Sequence, residues 1–125
     1  MSTHYYIDGY NVLHKSAALR PLALHDFETA REALIDKVAQ FCVISGKRAS
    51  IVFDGRGQHH QHPEAVEHFR EAPGLEVLSS PTKLSADAVI ERRVYQEPKR
   101  LDVVVVSNDR GLRDLCRNLG ALTME

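Results

Sequence analysis

The sequence predicts a three-layer α/β/α sandwich around a mostly parallel, Rossmann-like sheet. Two observations carry this. Strand-like runs alternate with helix-like runs four times along 125 residues, the pattern of right-handed βαβ units. One of those runs, Val103-Val104-Val105-Val106, is unbroken valine, as expected of a strand buried on both faces.

Composition narrows the class. Hydrophobic residues make up 43% and charged residues 26%, ordinary for a soluble globular chain long enough for one domain, residues 1–125. No apolar run reaches membrane-spanning length, and the N-terminus lacks the basic segment and apolar core of a signal peptide. The expected location is the cytoplasm. Cys42 and Cys116 fall on the apolar sides of helical patterns and read as two buried thiols. A formal net charge of -1 does not select for or against nucleic acid, so a nucleic-acid binder would need local basic patches.

The elements follow in order. Thr3 to Ile7 reads as a strand, broken by Gly9. Val12 to Ala18 starts a short helix that Pro21 ends or interrupts. Asp26 is an N-cap, and Phe27, Ala30, Leu34, Val38, Phe41 and Cys42 recur at helical spacing up to a stop at Gly46. Ala49 to Phe53 is a strand ending in Asp54-Gly55, followed by a polar, histidine-rich loop, Arg56 to Pro63. Glu64 to Glu71 reads as a short helix, Pro73-Gly74 as a turn, and Leu75 to Leu78 as a strand. Ser85 caps a helix through Gln96, with Val89, Ile90 and Val94 turned inward. Leu101 to Val106 is the next strand. A helix with Leu112, Leu115, Cys116 and Leu119 on one face follows, and Ala121-Leu122-Thr123 begins a last strand.

In an open parallel sheet, ligands sit outside the carboxyl ends of the strands. Three such ends carry an aspartate: Asp8, Asp54 and Asp109. Asp87 lies in the first turn of a helix, and Glu91 follows at i+4 on the same face. Carboxylates collected at one edge repel, so the pattern calls for a cation. Oxygen ligands alone suit Mg²⁺ or Mn²⁺, which would bind a scissile phosphate and activate water. Singly, each residue has a plainer reading. Asp8 and Asp109 are N-cap candidates, Asp54-Gly55 a turn, Asp87 a dipole partner, and Glu91 a solvated or arginine-paired side chain.

Asn11 either bonds a phosphate or caps the next helix. Ser107 either orients a water or bonds local backbone. Arg56, Arg92 and Arg110 are candidate phosphate contacts, with a solvated or salt-bridged role as the default. His59, His60 and His62 read as a solvated loop rather than a zinc site.

Four motifs taken together resemble the YacP-like branch of the NYN domains, PIN-like ribonucleases. They are Tyr6-Ile7-Asp8-Gly9-Tyr10-Asn11-Val12-Leu13, Val52-Phe53-Asp54-Gly55, Ser85-Ala86-Asp87-Ala88-Val89-Ile90-Glu91-Arg92 and Val106-Ser107-Asn108-Asp109-Arg110-Gly111-Leu112-Arg113. The resemblance spans essentially the whole chain. It implies a PIN-like sheet and Mg²⁺- or Mn²⁺-dependent endonucleolytic cleavage of RNA, and one bacterial branch is similar to a ribosome-associated messenger RNA endonuclease. The family's acidic positions correspond to Asp8, Asp87 and Asp109, with Asp54 and Asn11 in support. The sequence departs from the pattern at Ala88, where a second acidic residue is usual, and at Asn108. Members commonly run on past the position of Glu125, which makes this chain a short or trimmed member.

Two other readings stand beside the nuclease. A PIN-like module would hold RNA or a ribosomal partner without cutting. A phosphoacceptor receiver domain would need paired acids after the first strand and a lysine after the last, whereas Gly9 follows Asp8 and no lysine lies beyond Arg100.

Overall fold

The computed structural model describes residues 3–53, 65–80, 85–98, 102–107 and 109–124. Six strands form one sheet in the order β3-β4-β2-β1-β5-β6. They are β1 (His4–Asp8), β2 (Arg48–Phe53), β3 (Ala65–Phe69), β4 (Ala72–Ser79), β5 (Val103–Val106) and β6 (Leu122–Met124). All neighbours pair in parallel except β3 with β4. The helices are α1 (Gly9–Lys15), α2 (Arg20–His25), α3 (Phe27–Ser45), α4 (Ala86–Gln96) and α5 (Arg110–Asn118). Among the described residues, no helix is long and apolar enough to cross a membrane.

Strand alternation divides the core in two. Ile7, Ile51, Phe53 and Val77 pack under the first three helices with Leu13, Ala30, Leu34, Ile35 and Val38. Tyr6, Val52, Leu78, Val103 and Val105 face the other way and pack under α4 and α5 with Val89, Ile90, Val94, Leu112 and Cys116. Each such aliphatic side chain contributes about 1.5–3 kcal/mol when fully buried. This is the α/β/α sandwich that the alternation predicts, and the valines of β5 supply both of its faces.

The predicted caps are present. Asp26 Oδ1 accepts from Thr29 N at 3.3 Å and Oδ2 from Thr29 Oγ1 at 2.7 Å. Gly46 ends α3 in the left-handed conformation, φ 71°. Ser85 Oγ accepts from Ala88 N at 3.1 Å at the start of α4.

Four expectations are corrected. The first helix starts at Gly9, directly after β1, and ends at Lys15. Pro21 does not end a helix; it stands at the start of α2, where its fixed φ suits the first turn. Residues 65–69, expected to be helical, form the antiparallel edge strand β3, because pairing with β4 supplies the backbone partners that an isolated helix this short could not. Pro73-Gly74 is not a turn but lies inside β4, and the reversal sits at Arg70-Glu71. Glycine is required at position 74 for another reason: an added Cβ would lie 2.8 Å from Lys47 O.

A buried polar chain pins the far end of α4 to the sheet. His4 Nε2 and Ser50 Oγ are 2.7 Å apart, and Ser50 Oγ donates to Glu76 Oε1 at 2.7 Å. Arg93 of α4 lies 3.6 Å from Glu76, and the Tyr6 hydroxyl donates to Glu97 Oε1 at 2.8 Å. Burial first, then the nearby Arg48, lowers the pKa of His4 and favours the neutral ring.

Candidate active site at the carboxyl edge of the sheet

The chain leaves β1 through α1 to α3 on one face, and later leaves β4 through α4 on the other. Strand order therefore reverses between β1 and β5, the place where open α/β sheets bind ligands. Asp8 ends β1, Ser107 follows β5, and Asp109 opens α5. Asp87 enters from the first turn of α4, which crosses this face.

Asp8 is only 5% exposed. Its Oδ1 accepts from Asn11 N at 3.4 Å, so it caps α1, and its Oδ2 accepts from the Ser107 hydroxyl at 3.4 Å. Ser107, itself buried, accepts from Asp109 N at 3.0 Å and so ties the two strand ends together. Asp109 Oδ1 accepts from Leu112 N at 3.1 Å and caps α5. Capping and clustering are thus properties of the same two carboxylates: the cap bond fixes the rotamer that aims each one along the edge.

Asp87 lies close enough to Asp8 and Asp109 for each to act on its titration. Burial first, then the negative charges of Asp8 and Asp109, push its carboxyl up to about 7. Burial also raises Asp8, opposed by its hydrogen bonds from Asn11, Asp87 and Ser107. Two acids of this group keep protons above the usual carboxylate range because the alternative is several negative charges in one desolvated place. Among the described residues, no group of three or more His, Cys, Asp and Glu side chains is spaced to hold a metal ion as it stands. The donor chemistry, all oxygen, is that of a hard cation.

Other sequence candidates distribute as follows. Asn11 is half-buried and contributes its backbone N–H to Asp8. Glu91 stands one turn further along α4, near enough to Cys116 to act, after burial, in pushing that thiol up to about 11. The groups acting most on Asp8 and Asp87 do not include it. Arg92 and Arg110 are exposed on α4 and α5. Asp54, Arg56 and the loop histidines lie outside the described residues. Cys42 and Cys116 are free and buried, as expected.

The signal missed at this edge is Gly9. A Cβ there would lie 2.6 Å from Phe53 Cε1 and 2.9 Å from its Cδ1 and Cζ. The missing side chain lets α1 begin against the Phe53 ring immediately after Asp8. Gly9→Ala is expected to displace that ring at a cost of about 1–3 kcal/mol. Urea unfolding checks this, and an unchanged midpoint would contradict the close approach.

The model of the YacP-like NYN domain matches residues 5–125. The chain belongs to that family. Its NYN domain is 30% identical over 86 residues to the protein YacP of Bacillus subtilis, which covers 69% of this chain and 48% of YacP. The chain thus spans about half the length of that curated relative. The crystal structure of Rae1 (YacP) from Bacillus subtilis superimposes with a TM-score of 0.74 at 25% identity, over 99% of this chain and 68% of the other. A single-substitution variant of Rae1 gives 0.72 at 25% identity, over 96% and 67%. The PIN-like sandwich expected from the motifs is therefore the fold of the family as well.

Proposed function

We propose that this NYN domain is a metal-dependent endoribonuclease that hydrolyses phosphodiester bonds of RNA, with ribosome-associated messenger RNA as its setting and the cytoplasm as its location. The observation that carries the proposal is the tie of Asp8 and Asp109 through Ser107 at the reversal point of the sheet, with Asp87 in the first turn of α4 near enough for their charges to act on it. Membership of the NYN family supports RNA as the substrate class.

Asp8, Asp87 and Asp109 would hold Mg²⁺ or Mn²⁺, with Asp54 and Glu91 as further acidic ligands. A cation bound there would supply charge neutralisation at the scissile phosphate and a more acidic water. The chain's own residues do the rest. Asn11 N–H and Ser107 hold the Asp8 carboxylate in one rotamer. Ser107 also holds the first turn of α5, and hence Asp109, at a fixed distance from β1. Arg56, Arg92 and Arg110 would meet flanking phosphates. Water oxygen forms a bond to phosphorus in line, the bond from phosphorus to the 3′ oxygen breaks, and a 3′-hydroxyl and a 5′-phosphate result.

One observation favours a second reading. Ala88 follows Asp87, so α4 brings one carboxylate rather than two adjacent ones to this edge. A module that binds RNA or the ribosome without cutting would tolerate that. Incubation of single-stranded RNA with high enzyme separates the readings. Cleavage that needs Mg²⁺ or Mn²⁺ and stops in EDTA is expected. Binding without cleavage in either ion would overturn the nuclease assignment.

A further inference from the structure

On the other side of the same edge, four rings form a continuous stack of edges and faces. Tyr10 lies in the first turn of α1, two residues after Asp8, so its Cα is within about 7.6 Å of that of Asp8. Its ring centroid is 4.6 Å from that of His14 at 40°, and 5.2 Å from that of Phe27 at 32°. Phe27 stands edge-on to Phe53 at 6.3 Å and 84°, and the Arg31 guanidinium lies 5.0 Å over the Phe53 ring. The Arg31 head is itself held by Glu67 at 2.7 Å.

His14 and Phe27 hold the Tyr10 ring in place. Phe27 and Phe53 are already packed with the core under α1 to α3. Tyr10, by contrast, leaves 45% of its surface open. An aromatic ring held by other rings and still nearly half exposed presents ordered apolar ring surface to water, and a nucleobase has a matching surface.

We propose that Tyr10 is the stacking platform for a base of single-stranded RNA beside the phosphate to be cut. The proposal rests on the nuclease reading for its substrate class. It selects single strands because a base inside a duplex has both faces covered by its neighbours, whereas an unpaired base can lie on the ring. It is indifferent to sequence, since every base has such a face.

The test compares the wild-type chain with Tyr10→Phe, Tyr10→Leu and Tyr10→Ala. Binding is read by anisotropy of a fluorescein-labelled single-stranded oligoribonucleotide in EDTA, and of the same oligonucleotide with its bases replaced by abasic sites. Cleavage of the intact oligonucleotide is read with Mn²⁺. Tyr10→Phe should match wild type. Tyr10→Leu and Tyr10→Ala should weaken binding and raise KM by about 5- to 150-fold, with kcat within about twofold. On the abasic oligonucleotide all four proteins should bind alike. Equal binding of the intact oligonucleotide by all four, or an equal loss on the abasic one, would overturn the platform. If wild type cleaves RNA and ignores Tyr10, the platform falls and the nuclease stands. If Tyr10 governs binding but no ion supports cleavage, the nuclease falls and the platform stands.

Discussion

Asp8→Asn is expected to abolish RNA cleavage and to leave the fold intact. The substitution keeps the shape of a side chain that is 5% exposed, and its remaining carbonyl oxygen can still accept from Asn11 N and cap α1. What it removes is a negative charge at the centre of the acidic edge. A cation that stabilises the transition state by several kcal/mol is lost with that charge, so the rate should fall on the order of 10³-fold or more. Initial rates with Mg²⁺ and with Mn²⁺, beside a thermal melt, check both halves. A folded Asp8→Asn protein that still cuts at a comparable rate would remove Asp8 from the site.

The second large effect is on stability. In EDTA, Asp87→Asn is expected to raise the melting temperature at pH 8 and to flatten its dependence on pH. In the folded chain Asp87 titrates at about 7, above its ordinary value of 3.8. Between those values the folded state keeps a proton that the unfolded chain has released, so stability falls as pH rises through this window. Above about 7 the full penalty is present in wild type and absent from the asparagine variant. Allowing for solvent screening of a partly exposed carboxyl, the gain is on the order of 1 kcal/mol, or roughly 4 °C for a chain of this size. Melts from pH 5 to pH 8 measure it. A variant whose melting temperature tracks wild type across that range would show that Asp87 is not held among like charges. Added Mn²⁺ should stabilise wild type at pH 8 and do little for Asp87→Asn, because only the former offers the complete carboxylate set.

The helical stripe Ala30, Leu34, Val38 and Cys42 and the valines of β5 were legible in the sequence because burial writes a period of its own into each, whereas Phe41, expected on the same stripe, is exposed. The edge strand β3 was not. Glu67 and His68 are exposed, and what makes the run a strand is β4 beside it, a non-local fact. Pro73-Gly74 misled for a related reason: the glycine answers the approach of Lys47 O, a residue far away along the chain.

At the site, the acidic residues were readable as strand ends, and the cap reading holds for Asp8 and Asp109. Asp8 and Asp109 are caps, and as caps they are aimed at Asp87. Ser107 likewise bonds local backbone and Asp8 together. The role of Tyr10 was invisible, because only packing shows that Phe27 and His14 lie against its ring.

In the proposed site Asp8, Asp87 and Asp109 would give up protons to hold one shared cation. Crystals soaked in Mn²⁺ at pH 8, with anomalous diffraction recorded, test it most directly. An anomalous peak bounded by carboxylate oxygens of all three residues is the expected result. A well-ordered edge with no peak at saturating Mn²⁺ would contradict it.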